Sequence, residues 1–474
     1  MSQGRKTARA ARRAGGWRPD LLGSYYDVAV VGGGAMAAAV AWALTRRLGT
    51  PEPNGPRITV LAPRLLGQDW HPDNVARLHD LRIDAAVGRL AAGVGHRYRA
   101  WADELDLEPA RVDGGHLALA TTLEGRQALR LAAAGVGSCR VVGPSERGEI
   151  LEGHSHIECL EAWYEPLAAT MQLPDLVFRL AEAAVANGVS AVDRAAVLQL
   201  TAARDGFELR TTAGSSFARM IVDTTSDLAL ARACGLGQVR GGVVGYQLTT
   251  SALAPMLPVC VSVGDVVVTQ RPSGELDLDV PSSGPGAAGL QGAAAGVAAV
   301  VEALPKLASA PIVSCRPQHG AISPDGAPVL GQVRDGFWAV GATGIHHLDL
   351  LPVMAEAVAE QIAAVLWGAP AASVTNFSGP SFSGPASFAR ELSMCAPTRF
   401  RPGFSALDPA HGGWWCDHCG ERPAGEYRLL AGRVIHTGGC GRPVVEATPG
   451  PQSAARSAGS LRVPELVGAR AGLR

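Results

Sequence analysis

The stretch Tyr26–Arg47, YDVAVVGGGAMAAAVAWALTRR, limits the fold of this chain more than any other. Asp27–Val31 is a short apolar run rich in β-branched residues, the pattern of one buried parallel strand. Gly32, Gly33 and Gly34 follow at once, and Ala35–Arg47 reads as a helix that is apolar nearly all round and therefore buried. A strand, a glycine turn and a helix make the first half of a dinucleotide-binding βαβ unit. In such a unit Gly32 permits the tight turn, and Gly34 lets the backbone approach a pyrophosphate. Ala37 stands where a small residue allows helix and strand to pack closely. The N–H groups at the helix start then face phosphate, and the helix dipole favours its charge. The competing reading is a buried strand–turn–helix whose glycines serve packing alone.

With 474 residues the chain has room for two or three domains. A composition of 47% hydrophobic and 18% charged residues is that of a soluble globular protein, and a net charge of −1 gives no reason to expect a nucleic-acid partner. Lysine occurs only as Lys6 and Lys306, so arginine carries nearly all positive charge and single arginines are less informative. Nine cysteines, odd in number and mostly scattered, suit reduced thiols in a cytoplasmic protein. Residues 1–24 read as a basic, disordered tail. Arg12-Arg13 is not followed by an apolar segment, so no secretory or twin-arginine signal is expected. No apolar run approaches the length of a membrane span.

Ile58–Leu61, ITVL, is the second strand of the unit. Such strands usually end in Glu or Asp, which accepts hydrogen bonds from the adenosine ribose. Here the position is Ala62. Losing that bond costs about 1.5–3 kcal/mol, or roughly tenfold to a hundredfold in affinity. Further on, Gly241–Pro281 holds short alternating apolar runs such as Val266–Thr269 and Leu276–Val280, which fit an antiparallel sheet. Phe337–Val340 reads as a buried strand. Val353, Met354, Ala357, Val358, Ile362, Val365 and Leu366 fall at helical spacing, which places Met354 in a core.

Several segments carry a resemblance. HPDNVARLH (His71–His79), Arg97–Glu104 with Gly114–Gly125, and Ala162–Val192 are three of them. SCRPQHGAISPDGAPVLGQV (Ser314–Val333), with an Arg-Pro ahead of Pro-Asp-Gly-x-Pro, is the most diagnostic. Gly336–Gly344 and Leu351–Gly368 complete the set. Together, over about Tyr26–Trp367, they resemble the D-amino-acid oxidase superfamily of FAD-dependent oxidoreductases, in its glycine and sarcosine oxidase branch.

The resemblance implies a FAD cofactor. The backbone of Asn74 and Ala76 would lie beside the flavin ring, and the strand at Val197 beside adenine. Gly344 would form the flavin-side turn, and the helix after Leu351 would point at the flavin pyrimidine. Arg316 would hold a substrate carboxylate, a task suited to a guanidinium fork, although a surface arginine is the plainer reading. His346 and His347 would sit over the flavin edge to orient substrate or accept a proton; a histidine packed in a turn is the alternative. Tyr246 fits a strand aromatic in the core better than a substrate contact. Cys315 fits an inert thiol better than a covalent flavin link. Two departures stand out. Thr224, Thr225 and Ser226 replace smaller residues in the turn against the dinucleotide, and Ile345–Asp349 replaces a glycine-rich turn. A carboxylate at Asp349 would favour a helix start but repel a reduced, anionic flavin.

The C-terminal region carries a separate pattern, Cys416-x2-Cys419 followed by His436-x3-Cys440. Two soft ligand pairs about twenty residues apart match a structural Cys3His zinc site. Between them, Glu426–Leu430 and Arg433–Ile435 read as a hairpin turning at Ala431-Gly432, with His418 a spectator. So small a module needs the metal to fold, and zinc supplies roughly 10–16 kcal/mol in finger peptides. The competing reading is a redox CxxC. A closed structural site would dock a protein partner or the carrier of a substrate.

The expected architecture is therefore α/β. A Rossmann-like FAD-binding domain (about 25–90, 165–235 and 315–370) is interleaved with an antiparallel-sheet substrate domain (about 91–164 and 236–314). A Ser/Pro/Gly linker at 371–410, a zinc module at 411–445 and a mobile tail at 446–474 follow. The expected activity is oxidation of a C–N bond of a small amine or amino acid to an imine. The alternative is a flavin-poor or flavin-free subunit that keeps the fold as a binding scaffold in a biosynthetic complex.

Overall fold

The computed structural model describes residues 24–49, 55–67, 75–79, 81, 90–91, 94–107, 111–112, 114–134, 136, 138–152, 157–172, 174–236, 238–282, 287–324, 326–344, 348–367 and 395–397, with short strands at 427–430, 433–436 and 460–462. The first part comprises β1 (Ser24–Val31), α1 (Ala35–Leu48), β2 (Ile58–Leu61), β3 (Val75–Leu78), α2 (Val94–Glu104), β4 (Arg111–Val112) and β5 (His116–Ala120). Next come α3 (Leu123–Ala133), β6 (Arg140–Val141), α4 (Pro144–Ile150), β7 (Glu161–Glu165), β8 (Ala169–Gln172), α5 (Pro174–Ala186) and β9 (Ser190–Val192). The middle holds β10 (Val197–Ala203), β11 (Gly206–Thr211), β12 (Gly214–Asp223), α6 (Ala229–Ala233), β13 (Arg240–Thr250), β14 (Cys260–Val263), β15 (Val266–Gln270) and β16 (Leu276–Pro281). The remainder is α7 (Ala287–Ala303), β17 (Ile312–Ile322), β18 (Val329–Arg334), β19 (Phe337–Gly341), α8 (Leu351–Leu366), β20 (Tyr427–Leu430), β21 (Arg433–His436) and β22 (Ser460–Arg462).

The first sheet is built on parallel pairs. β1 lies between β2 and β12, β2 pairs with β9, and the end of β12 pairs with β19. Both faces of β1 are covered, which explains its unbroken apolar run. Val28 and Val30 pack on one side with α1, α5 and α8, and Ala29 and Val31 pack on the other with Phe207 and Phe337. Each such buried valine contributes about 1.5–3 kcal/mol. Trp42 of α1 is buried edge-on against Trp101 of α2, with ring centroids 5.0 Å apart. Met354 is buried in this core, as its spacing indicates.

The second sheet runs β17-β13-β16-β15-β14-β5-β7-β6, and β17 belongs to it over its whole length, past the boundary expected near residue 315. β16 and the facing part of β13 alternate. Tyr246, Leu248, Leu278 and Val280 face a core shared with α7, and the intervening polar residues face the other way. A third sheet, β3-β8-β4, carries the segment beside which the flavin ring was expected.

The region after α8 differs in part from a plain linker and tail. Cys395 is buried in the first core and its carbonyl accepts the Leu330 N–H at 2.9 Å, while Ser460–Arg462 adds to the edge at β10. β20 and β21 pair antiparallel as the expected hairpin, with Tyr427 opposite His436. The basic N-terminal stretch 1–23 lies outside the described residues. Among the described residues no helix is long and apolar enough to cross a membrane.

Candidate functional site

The end of β1 forms a cradle. Gly32 has φ +144°, and a Cβ built on it would lie 2.3 Å from Thr224 Oγ1. Its N–H donates to the Leu61 carbonyl at 3.1 Å. The crowding expected from Thr224 does not close the turn, because its hydroxyl folds back and donates to the Val31 carbonyl at 2.9 Å. The Gly33 carbonyl accepts the Gly67 N–H at 2.7 Å, and Ala37 is fully buried where the helix meets the strand. Gly34 is the N-cap of α1, no side chain caps that helix, and the space a Cβ on Gly34 would enter is open. An uncapped helix start behind an open glycine fits the pyrophosphate of a dinucleotide.

The ribose end differs. Ala62 is buried and its backbone is engaged on both sides, by the Val192 carbonyl at 3.0 Å and the Ala195 N–H at 2.8 Å. The register Leu61↔Val192 sets Asp193 beside it, and this buried carboxylate accepts the Leu66 N–H at 3.0 Å. At the end of β12, Asp223 accepts from the Thr225 N–H (3.0 Å), the Thr225 hydroxyl (2.6 Å) and the Ala231 N–H (2.8 Å). Burial pushes its carboxyl up to about 6, against the pull of those three bonds. Asp223 thereby shapes the 224–231 loop that closes over Gly32.

A second group of side chains lies on the polar face of the second sheet. The register Gln247↔Arg316 and Gln247↔Asp279 puts Arg316, Gln247 and Asp279 in one row across β17, β13 and β16. Gln318 Nε2 donates to Asp279 Oδ1 at 3.0 Å. In the next row Thr249 donates to Asp277 at 2.9 Å, and Arg271 holds Asp277 bidentately at 2.6 and 2.8 Å. Gln247, Asp277 and Asp279 are all buried, although they face away from the apolar core. Arg77 of β3 reaches Asp279, with which its guanidinium is paired. The Arg77 N–H also donates to Asp349 Oδ1 at 3.1 Å, on the approach to α8. Arg77 thus ties the second sheet to the lead-in of α8. Tyr98 of α2 donates to the Leu348 carbonyl beside it, and burial, reinforced by the Asp349 carboxylate, raises the phenol well above its ordinary value.

The expected residues fall out unevenly. Gly32, Gly33, Gly34 and Ala37 gather at the cradle, and Arg316, half-buried, joins the polar row. Val197 opens β10 opposite Thr211, Ala76 lies in β3 opposite Met171, and Gly344 has φ +58° with open space where a Cβ would stand. Tyr246 packs in the apolar core, and Cys315 is an exposed free thiol. Asn74, His346 and His347 lie outside the described residues, as do Cys416, Cys419 and Cys440; His436 ends β21. Arg77 and Asp349 were missed as a bridge. Asp277 and Asp279 had a visible sign, the alternation Leu-Asp-Leu-Asp-Val over 276–280, which puts both carboxylates on one face of a strand.

Comparison with known proteins agrees with this geometry. The family profile DAO, described as FAD dependent oxidoreductase, matches residues 27–361. Glycine oxidase from Geobacillus kaustophilus is similar in structure, with TM-score 0.59 and 21% identity over 72% of this chain and 95% of that one. L-proline dehydrogenase from P. horikoshii has TM-score 0.60 and 16% identity over 80% and 98% of the two chains. L-amino acid deaminase from Proteus myxofaciens, solved in complex with anthranilate, has TM-score 0.60 and 13% identity over 81% and 96%. At these identities the likeness is one of fold. No curated protein sequence matches the chain.

Proposed function

Because the chain belongs to the DAO family of FAD-dependent oxidoreductases, we propose that it oxidises a C–N bond of a small amine or amino acid to an imine, which water then hydrolyses. The observation that carries this reading is the polar row of half-buried Arg316 with buried Gln247 and Asp279, locked by Arg77 to the lead-in of α8. Arg316 would hold the carboxylate of an amino acid through two parallel N–H donors. Asp279, engaged by Arg77 and Gln318, is a fixed charge that orients rather than a mobile base. Gly32, Gly34 and the start of α1 would hold the pyrophosphate of FAD. The bound flavin supplies the hydride acceptor. From the resemblance, His346 and His347 are assigned to orient the substrate or take the amine proton. The structural neighbours are named as acting on glycine, L-proline and L-amino acids, which is consistent with this substrate class.

The test is a screen of FAD-loaded protein against amino acids and their decarboxylated analogues, read as peroxide release or dye reduction. Turnover of a carboxylate-bearing amine, lost with its decarboxylated partner, supports the assignment. Absence of turnover by flavin-loaded protein across the panel contradicts it.

A second reading, a flavin-poor scaffold subunit, has one observation in its favour: Ala62 in place of the ribose-binding acid, with its backbone amide engaged by Val192. For the C-terminal module we propose one structural zinc on Cys416, Cys419, His436 and Cys440, with the β20–β21 hairpin returning the second pair to the first. Such a module would dock a protein partner. Loss of one zinc equivalent in Cys416→Ser would support it, and full retention after replacement of both Cys416 and Cys440 would remove it.

A further inference from the structure

His79, His116 and Glu165, none of them a member of the cradle or the polar row, meet inside the protein. All three are buried, and one ligand atom from each lies within 4.8 Å of the other two. They come from separate strands. His79 follows β3, while His116 of β5 stands directly opposite Glu165 of β7 in the ladder. The two imidazoles are 4.1 Å apart between ring centroids.

Each side chain is oriented from outside. His79 Nδ1 lies 3.0 Å from the Leu81 carbonyl, a contact that makes Nδ1 the protonated nitrogen of the neutral ring and Nε2 the atom it would offer a metal. His116 Nε2 lies 2.9 Å from the Ser262 hydroxyl, which makes Nδ1 the ring atom it would offer a metal. Glu165 Oε2 accepts the Leu81 N–H at 3.0 Å, which fixes the carboxylate beside the imidazoles. Outer hydrogen bonds of this kind fix tautomer and ring angle at metal ligands.

We propose that His79, His116 and Glu165 bind one divalent zinc-class ion. Two neutral imidazoles and a carboxylate are a borderline donor set suited to Zn2+. The ion's charge would offset that of a carboxylate removed from water, which otherwise costs several kcal/mol. Ligand atoms about 2.1 Å from a tetrahedral ion stand roughly 3.4 Å apart, so side-chain shifts of about 1 Å close the set. Water takes the fourth place. The ion positions rather than reacts. It pins the end of β3, two residues beyond Arg77, to the second sheet, and so holds the bridge between Asp279 and Asp349 in register. The competing occupant is a proton, shared among the imidazoles and the carboxylate.

Metal analysis of the full chain, prepared without chelator, distinguishes the two. A Cys416→Ser/Cys419→Ser/Cys440→Ser background removes all three thiolate ligands of the C-terminal region. We expect one zinc equivalent there, falling below one tenth on Glu165→Gln or His116→Gln. Added Co2+ should give the visible bands of a nitrogen and oxygen set, without intense thiolate charge transfer, and lose them in the same variants. Ser262→Ala touches only the outer bond and should weaken metal affinity about tenfold with the fold retained, so the site remains testable if the ligand variants do not fold. A background protein that takes up neither Zn2+ nor Co2+, or metal content unchanged by Glu165→Gln and Ser262→Ala, would overturn the site and leave the protonated cluster.

Discussion

The Thr224 hydroxyl lies 2.3 Å from the point a Cβ on Gly32 would occupy, and it is held there by its bond to the Val31 carbonyl. The two residues therefore share one volume, and the sheet-end turn can exist only with glycine on one side. Gly32→Ala must also adopt φ near +144°. Strain and overpacking together predict a loss of about 2–4 kcal/mol in urea unfolding. Gly34→Ala is the contrast, since its Cβ meets no atom within 4 Å. It should leave stability within about 1 kcal/mol while weakening FAD binding, because the methyl group enters the phosphate cradle.

Arg77 and Asp279 form a buried pair between two sheets. Removing one partner leaves a buried charge, so Arg77→Met or Asp279→Asn should each cost about 3–5 kcal/mol. Arg77→Met combined with Asp279→Leu should cost less than the sum of the single changes. A double-mutant cycle in denaturant measures the coupling, and additive losses would mean that the pair is not formed.

Asp223 gives the fold a pH dependence. Its folded value of about 6 lies above the unfolded value, near 3.9. The folded chain therefore holds this proton more tightly, and the associated stability is complete below about pH 4 and lost as pH rises to 6. The window corresponds to about 3 kcal/mol. Asp223→Asn has no such titration, so the difference in unfolding free energy between wild type and variant should change across pH 4–6 and stay flat above pH 7. A constant difference over the whole range would contradict the assignment.

Arg316→Lys keeps the charge and loses the planar fork. Losing one charge-assisted bond of roughly 1.5–3 kcal/mol predicts a tenfold to hundredfold fall in kcat/KM for a carboxylate-bearing substrate. Little change is expected with an amine that lacks the carboxylate. Equal effects on both would remove Arg316 from substrate recognition.

Much of this architecture was legible where burial alone decides the pattern. β1 is covered on both faces and α1 nearly all round, so both appear as unbroken apolar runs beside the glycines. The Leu-Asp-Leu-Asp-Val alternation of β16 marks a sheet with one polar face. The partners of that face were not legible. The pairing of Arg77 with Asp279, and of His116 with Glu165 and His79, depends on strand register and on segments far apart in the chain. Thr224 was legible as bulk but not as a folded-back hydroxyl, because its rotamer is set by the neighbouring strand end.

The central claim is that the cradle at Gly32 and Gly34 holds FAD. Titration of purified protein with FAD, followed by the visible flavin spectrum and by thermal shift, tests it most directly. The account predicts one non-covalent equivalent, released on denaturation, with binding weakened in Gly34→Ala while its unfolding midpoint in urea is maintained. Protein that remains colourless in excess FAD, with no thermal shift and no difference between wild type and Gly34→Ala, would contradict it and favour the scaffold reading.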